Sequence, residues 1–393
     1  MLEQYRVLEQ RPLEQDKLEK LLTAIHATPH MMTMDFAGAG SQALAWLHSV
    51  GGSSRTILEA TDRYIPTSLA EAVGHMPEKF TSVETGNALA KHAFERARKL
   101  AKSGTSVFGV GCTATIATDR AKKGDHRCVV SICDSLGTLS YELIISKGAR
   151  DRQGEEELVS LLILNAIAEA SGIFDIDDLP LFEGEGVARA FLPAPELSRL
   201  INGELSWLLI APDGSFTTGE SLPNIAVLSG SFNPLHEGHK KLSVVASQQL
   251  SKDVVFELPL INAEKAPIDL AEARKRAVQF LGFDSLLLSR APLFDQKAEF
   301  YPNSTFILGA DTAARLVAPR FYGNTTKGVD ESLEHLRKLG AKFLVAGRSS
   351  KDDFKTLDDI EIPSSYRDLF SEIPESAFKM DISSTELRKK FES

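Results

Sequence analysis

The chain of 393 residues is poor in sulfur, poor in tryptophan and short of positive charge. Its three cysteines, Cys112, Cys128 and Cys133, show neither a Cys-x-x-Cys pair nor Cys/His pairing at zinc spacing, so they read as ordinary thiols of a reducing compartment rather than a disulfide or zinc framework. Lys and Arg number 44 against 54 Asp and Glu, a net charge of −10. A general DNA or RNA binder needs a basic face to displace counterions, so nucleic acid is not an expected partner. A nucleotide stays open, because a pocket can be locally positive on an acidic protein. The longest apolar stretch, 158–168, is broken by Ser160 and Asn165 and is too short to cross a bilayer. With no charged-then-apolar leader at the start, the expectation is a soluble, cytoplasmic protein without a membrane partner. No Gly-x-x-x-x-Gly-Lys-Ser/Thr occurs, which excludes a P-loop NTPase.

What is present is ordinary globular composition, 43% hydrophobic and 25% charged, over a length that suits two or three domains. Residues 1–25 repeat Leu-Glu-Gln at Leu2, Leu8 and Leu13 and read as an exposed helical extension. Residues 26–175 alternate strand-like runs (31–36, 106–110, 128–133, 138–146) with helical ones (84–101, 155–170), which predicts an α/β domain with a mixed sheet. Residues 176–222 open with acidic residues, glycine and proline and read as a linker. It ends in a hairpin about Pro212-Asp213-Gly214. From 223 to 393, strand-like runs at 225–228, 254–258, 306–308 and 343–345 alternate with helical segments. That pattern predicts a doubly wound, Rossmann-like parallel sheet.

The most informative stretch is Ile225-Ala226-Val227-Leu228 running into Gly230-Ser231-Phe232-Asn233-Pro234-Leu235-His236-Glu237-Gly238-His239. A strand ends in a Gly-Ser turn, and two histidines precede a helix. Free backbone N–H groups and the helix dipole favour anions at such a place. Gly230 lets a phosphate approach the backbone, and Gly238 leaves room for an adenine-sized ring. His236 and His239, three apart near a helix start, can converge on one group. His-x-x-x-His zinc spacing and a third nearby ligand are both missing, so no resident metal is expected. Near the C-terminus, Asp381-Ile382-Ser383-Ser384-Thr385-Glu386-Leu387-Arg388 reads as a capped helix start with an arginine one turn on, a second phosphate cradle.

Residues 223–393 therefore resemble the nucleotidyltransferase superfamily, and most of all nicotinamide-nucleotide adenylyltransferases. The family's Gly-Ser-Phe-Asn-Pro-x-His-x-Gly-His is matched in full at 230–239, and its Ile-Ser-Ser-Thr-x-x-Arg at 382–388. Its Gly-Ala-Asp stands at Gly309-Ala310-Asp311. The family's stacking aromatic, eleven residues past that aspartate, is matched by Tyr322, with Phe321 before it. Arg348 sits where the family has an arginine, and Lys265 resembles its lysine near the mononucleotide phosphate.

The resemblance implies transfer of the adenylyl group of ATP, with Mg²⁺ carried on the triphosphate, to a pyridine mononucleotide. His236, His239 and Arg388 would serve the reacting phosphates, helped by Ser383, Ser384 and Thr385. Gly230, Ser231, Phe232, Gly238, Lys265, Gly309, Asp311, Phe321, Tyr322 and Arg348 would complete the nucleotide-binding set. The family's second tryptophan has no counterpart, since Trp46 and Trp207 both precede the motif, and 284–303 matches no pattern. A related transferase with another phosphate acceptor, or a pyridine-nucleotide sensor without turnover, are the alternatives.

Residues 30–175 resemble, more weakly, the competence-damage-inducible family, whose C-terminal domain is a nicotinamide-mononucleotide amidohydrolase. The likeness rests on Asp35-Phe36-Ala37-Gly38-Ala39-Gly40 after a strand, Ser82-Val83-Glu84-Thr85 opening a helix, Gly109-Val110-Gly111-Cys112-Thr113, and Arg150-Asp151-Arg152-Gln153-Gly154 before the last helix. Active members place a serine where Phe36 stands, and phenylalanine can neither attack nor donate a hydrogen bond. The resemblance thus implies a domain whose hydrolase activity is lost, left with a scaffold, regulatory or self-association role. Both families often form homo-oligomers. A rival reading takes 38–43 as a Gly-x-Gly-x-x-Ala dinucleotide turn with Glu59 placed for a ribose.

Overall fold

The computed structural model describes residues 15–119, 124–261, 267–350 and 353–378. The chain forms two compact units that divide at Ala194 and Pro195, with the short pieces 212–214 and 281–283 grouped with the first. Among the described residues, no helix is long and apolar enough to cross a membrane.

The first unit runs α1 (Gln15–Ala27), β1 (Met31–Ala37), α2 (Ser41–Ser49), β2 (Ile57–Asp62), α3 (Pro66–Val73), α4 (Val83–Leu100), β3 (Val107–Thr115), β4 (His126–Asp134), β5 (Gly137–Ile145), α5 (Arg152–Ala170) and β6 (Gly186–Pro193). Its sheet has the order β2-β1-β3-β4-β5-β6. The pairs β1–β2 and β1–β3 are parallel and those from β3 to β6 antiparallel, so the sheet is mixed, as expected. Helix α4 lies directly on β3 because Gly109 and Gly111 carry no side chain. A Cβ on Gly109 would meet the Phe94 nitrogen at 2.1 Å, and one on Gly111 the Ala90 nitrogen at 2.4 Å. The apolar length of α5 fills the opposite face, where Leu158, Leu162, Ile163 and Ile167 are buried with Met32, Val130 and Leu143.

The helix expected as an exposed extension is instead docked in this core. Leu22 and Ile25 are buried, and the His26 ring bridges the Thr56 hydroxyl and the Leu47 carbonyl at 2.8 Å each. The part before residue 15 lies outside the described residues.

The second unit runs α6 (Pro195–Ile201), β7 (Trp207–Ile210), β8 (Phe216–Thr217), β9 (Ala226–Ser229), α7 (Glu237–Leu250), β10 (Val254–Pro259), α8 (Leu270–Ala277), β11 (Leu286–Ser289), α9 (Phe294–Phe300), β12 (Thr305–Gly309), α10 (Ala310–Leu316), α11 (Thr326–Lys338), β13 (Lys342–Ala346), β14 (Arg348–Ser350), β15 (Asp353–Lys355) and β16 (Phe370–Ile373). The main sheet has the order β16-β13-β12-β9-β10-β11-β7-β8. From β16 to β11 every pair is parallel, and the β7–β8 hairpin adds an antiparallel edge on β11. The expected doubly wound sheet is present, with that hairpin as an addition. Part of the span expected to link the domains is thus built into sheets, β6 in the first unit and β7 and β8 in the second.

Strand β9 pairs with β10 on one side and β12 on the other, so the winding direction reverses between β9 and β12. Ligands of open α/β sheets bind at that reversal, beyond the carboxyl ends of the strands.

Candidate active site at the strand reversal

Two segments flank the reversal. The chain leaves β9 through 230–236 into α7, and leaves β12 through Gly309 straight into α10. Because β9 and β12 are neighbouring parallel strands, the two segments leave the sheet from the same ends of adjacent strands.

The turn after β9 is folded over its own phenylalanine. Phe232 takes φ 45° and its ring is fully buried. A Cβ on Gly230 would meet that ring at 2.6 Å, which is why glycine stands there. The ring lies edge-on to Phe256 at 5.6 Å, Phe280 at 5.1 Å and His239 at 5.0 Å between centroids. Phe232 is therefore the floor of the turn.

His236 is the N-cap of α7, with φ −140° and ψ 169°. The Gly238 N–H donates to His236 Nδ1 at 3.1 Å, and the His236 N–H donates to His239 Nδ1 at 3.3 Å. The rings stack, 3.8 Å between centroids and 27° between planes. A nitrogen that accepts from a backbone N–H carries no proton, so in each neutral imidazole the proton sits on Nε2. Burial lowers the pKa of both rings, and the repulsion that two protonated rings side by side would suffer adds to it, bringing His239 down to about 3. The helix start thus carries two neutral Nε2–H donors.

A set of residues that sequence reasoning missed stitches this turn to α8 and the 3₁₀ turn after it. Asn233 Nδ2 donates to Glu272 Oε1 at 3.1 Å, Arg276 Nη1 to the Ser231 carbonyl at 3.2 Å, and Gln279 Nε2 to the Phe232 carbonyl at 3.1 Å. The Leu235 N–H donates to Gln279 Oε1 at 2.9 Å. Their available signal was helical spacing, polar residues at 272, 276 and 279 sharing one face.

Across the reversal, Gly309 caps α10 and Asp311 lies exposed in its first turn. Phe321 is half-buried with the Arg320 guanidinium 4.7 Å from its ring centre. Tyr322 is half-buried against the core below α11. Burial raises its phenol pKa and the Ser332 hydroxyl opposes that shift by hydrogen bonding, which places the hydroxyl beside α11. Arg348 opens β14, with Gly347 between it and the end of β13. Lys265, Ser383, Ser384, Thr385 and Arg388 lie outside the described residues. Strand β16, the last described strand before 383–388, runs parallel to β13. Among the described residues there is no group of His, Cys, Asp and Glu suited to a metal ion.

In the first unit the corresponding turn is closed. Glu156 Oε1 accepts from the Gly40 N–H at 3.0 Å, the Ser41 hydroxyl at 3.0 Å and the Gln42 N–H at 3.1 Å. The chain's own carboxylate fills the N-terminus of α2. Phe36 is buried, and Glu59 is engaged by both Arg96 Nε at 2.9 Å and Nη2 at 2.7 Å. The dinucleotide reading of 38–43 needs that helix end and that acid, and both are in use.

Residues 227–390 match the family described as cytidylyltransferase-like. The match starts within β9 and takes in the whole strand reversal, so this part of the second unit is similar to cytidylyltransferase-like domains and has the Rossmann-like fold. No curated protein matches the chain. Among solved structures, similar ones include the competence/damage inducible protein CihA from Agrobacterium tumefaciens, at 18% identity over 38% of this chain and 92% of that one, with a TM-score of 0.31. The competence or damage-inducible protein from Enterobacter asburiae aligns at 13% identity over 39% and 92%, TM-score 0.31. A competence-damaged protein (CinA) superfamily protein from Escherichia coli aligns at 12% over 42% and 94%, TM-score 0.32. These likenesses carry no functional argument.

Proposed function

We propose that the second unit joins ATP and nicotinamide or nicotinate mononucleotide, giving NAD or its acid precursor and pyrophosphate. A phosphate oxygen of the mononucleotide attacks the α-phosphorus in line. The bond from that phosphorus to the bridging oxygen breaks, and pyrophosphate leaves with its electron pair. No protein nucleophile takes part, so the protein contributes positioning and stabilisation of charge. Mg²⁺ enters as part of MgATP and shares the triphosphate charge.

One observation carries the reading: two stacked imidazoles whose Nδ1 atoms each accept a backbone N–H, which leaves the proton of each neutral ring to Nε2, at a helix N-terminus beside the strand reversal. Neutral donors suit a polyanion whose charge grows during reaction, since they need no counter-ion and the basic Nδ1 lone pair of each ring is already engaged by a backbone N–H. His236 and His239 donate to the phosphates. Asp311 meets a ribose and Tyr322 the pyridine. Arg388 and the hydroxyls of Ser383, Ser384 and Thr385 hold the distal phosphates, and Lys265 and Arg348 the mononucleotide side. The cytidylyltransferase-like match favours one second reading, cytidylyl transfer to another phosphate acceptor. The first unit serves as a scaffold without hydrolase turnover.

Incubation with Mg²⁺, ATP or CTP, and each mononucleotide, with products resolved by mass, tests the reading. Dinucleotide and pyrophosphate in equal amounts from ATP are expected. Product from CTP alone, or no product, overturns it.

A further inference from the structure

Directly beneath the turn lies a charged network that the reaction does not use. Glu257 on β10 is fully buried, and Lys297 on α9 is 3% exposed. Lys297 Nζ donates to Glu257 Oε2 at 2.5 Å and to the Ser229 hydroxyl oxygen at 3.2 Å. The Ser229 hydroxyl in turn donates to Glu257 Oε2, and the buried Ser289 hydroxyl donates to Oε1 at 2.6 Å. The main chain of Glu257 joins in, since its carbonyl accepts the Gly230 N–H at 2.9 Å. Ser229 is the last residue of β9 and Gly230 the first of the turn. One acid and one ammonium therefore grip the two residues on which the turn hinges.

A buried ion pair is poor value as a stabiliser, because apolar residues of like volume do as well without desolvating charge. Its directional contacts do fix geometry. From Ser229 the chain of contact is short: Gly230 covers the Phe232 ring, and that ring lies against His239.

We propose that Lys297, through Ser229 and Glu257, is a positioning residue of the nucleotide site, setting the turn that holds the imidazole pair. This rests on the adenylyl-transfer reading for its kinetic consequence only. It also gives a role to part of 284–303, which no sequence pattern explained.

The test uses the full chain with Lys297→Met and Glu257→Gln together, which leaves no unpaired buried charge, and Ser229→Ala separately. Melting temperature, kcat and KM with MgATP and mononucleotide, and ¹⁵N spectra of the imidazoles in the ligand-free protein are measured. The double variant is expected to melt near the wild type, to lose about 10- to 100-fold in kcat at little change in KM, and to show mixed tautomers in place of the Nε2–H forms. Ser229→Ala is expected to change the same quantities in the same direction by a smaller factor, and decides the matter alone should the double variant not fold. Wild-type kcat and wild-type imidazole spectra in the folded variants overturn the proposal. Should the wild type itself form no dinucleotide, the functional reading fails separately, and the imidazole spectra alone decide the positioning role.

Discussion

The two units contain the same local device with opposite contents. In each, a parallel strand runs through a glycine-bearing turn into a helix N-terminus, β1 into α2 and β9 into α7. The first fills its helix end with Glu156, whose one oxygen accepts three hydrogen bonds. The second caps its helix with His236 and His239, which satisfy backbone donors through Nδ1 and bring no charge. Both satisfy the orphan N–H groups of a helix start. Only the second does so without adding negative charge where an anionic substrate would sit. The motif that makes a turn is thus separable from the residues that leave its helix end open to an anion, and a glycine pattern alone does not distinguish them.

The largest expected effect tests the open turn. His239→Ala should lower kcat by roughly 10²–10³, the loss of about 3–4 kcal/mol from one preorganised donor. Equal turnover in the variant and the wild type, measured as pyrophosphate release, would remove the imidazole pair from the chemistry. Tyr322→Ala should act mainly on the KM of the mononucleotide, by about 1–3 kcal/mol if the ring stacks on the pyridine. Because its hydroxyl is engaged at α11, Tyr322→Phe separates the ring from that anchor, and an unchanged KM in the alanine variant would sink the stacking role.

A third test is pH. His239 is held down to about 3 in the fold against 6.5 for a free imidazole, so the unfolded state takes up its proton first as pH falls. Its contribution to stability is complete above pH 6.5 and is lost progressively between 6.5 and about 3. From pH 7 to 5 this amounts to about 2 kcal/mol, to be seen by denaturant unfolding and reduced in His239→Asn. For the same reason the kcat profile should show no acid limb near 6.5. An acid limb there would mean that the imidazole titrates near its free value in the working enzyme, and a basic limb there that a charged imidazole is required. The smallest effect concerns the closed turn. Glu156→Ala removes a side-chain cap and should cost about 1 kcal/mol in the first unit while leaving pyrophosphate release unchanged.

Much of the second unit was legible because parallel strands buried on both faces are continuous apolar runs. The expected 254–258 and 343–345 became Val254–Pro259 and Lys342–Ala346. The turn was legible because its residues are forced: a glycine over a ring, and histidines at a cap. What stayed hidden had no local signature. Strand β6 is an edge whose residues are mostly exposed, set among acidic and glycine-rich neighbours that read as linker. Strand β11 is four residues long. Lys297 looks like any surface lysine of a short helix until the sheet brings Glu257 beneath it. The closure of α2 by Glu156 joins positions more than a hundred residues apart and could not be read locally.

The three thiols belong to the first unit, on β3 and β4, and all are buried and free. Burial pushes Cys133 up to about 11 and Cys128 to about 12, so neither reacts as a thiolate while the sheet is intact. Since positions 195–393 contain no cysteine, alkylation kinetics would clock the opening of one half of this protein with the other half silent.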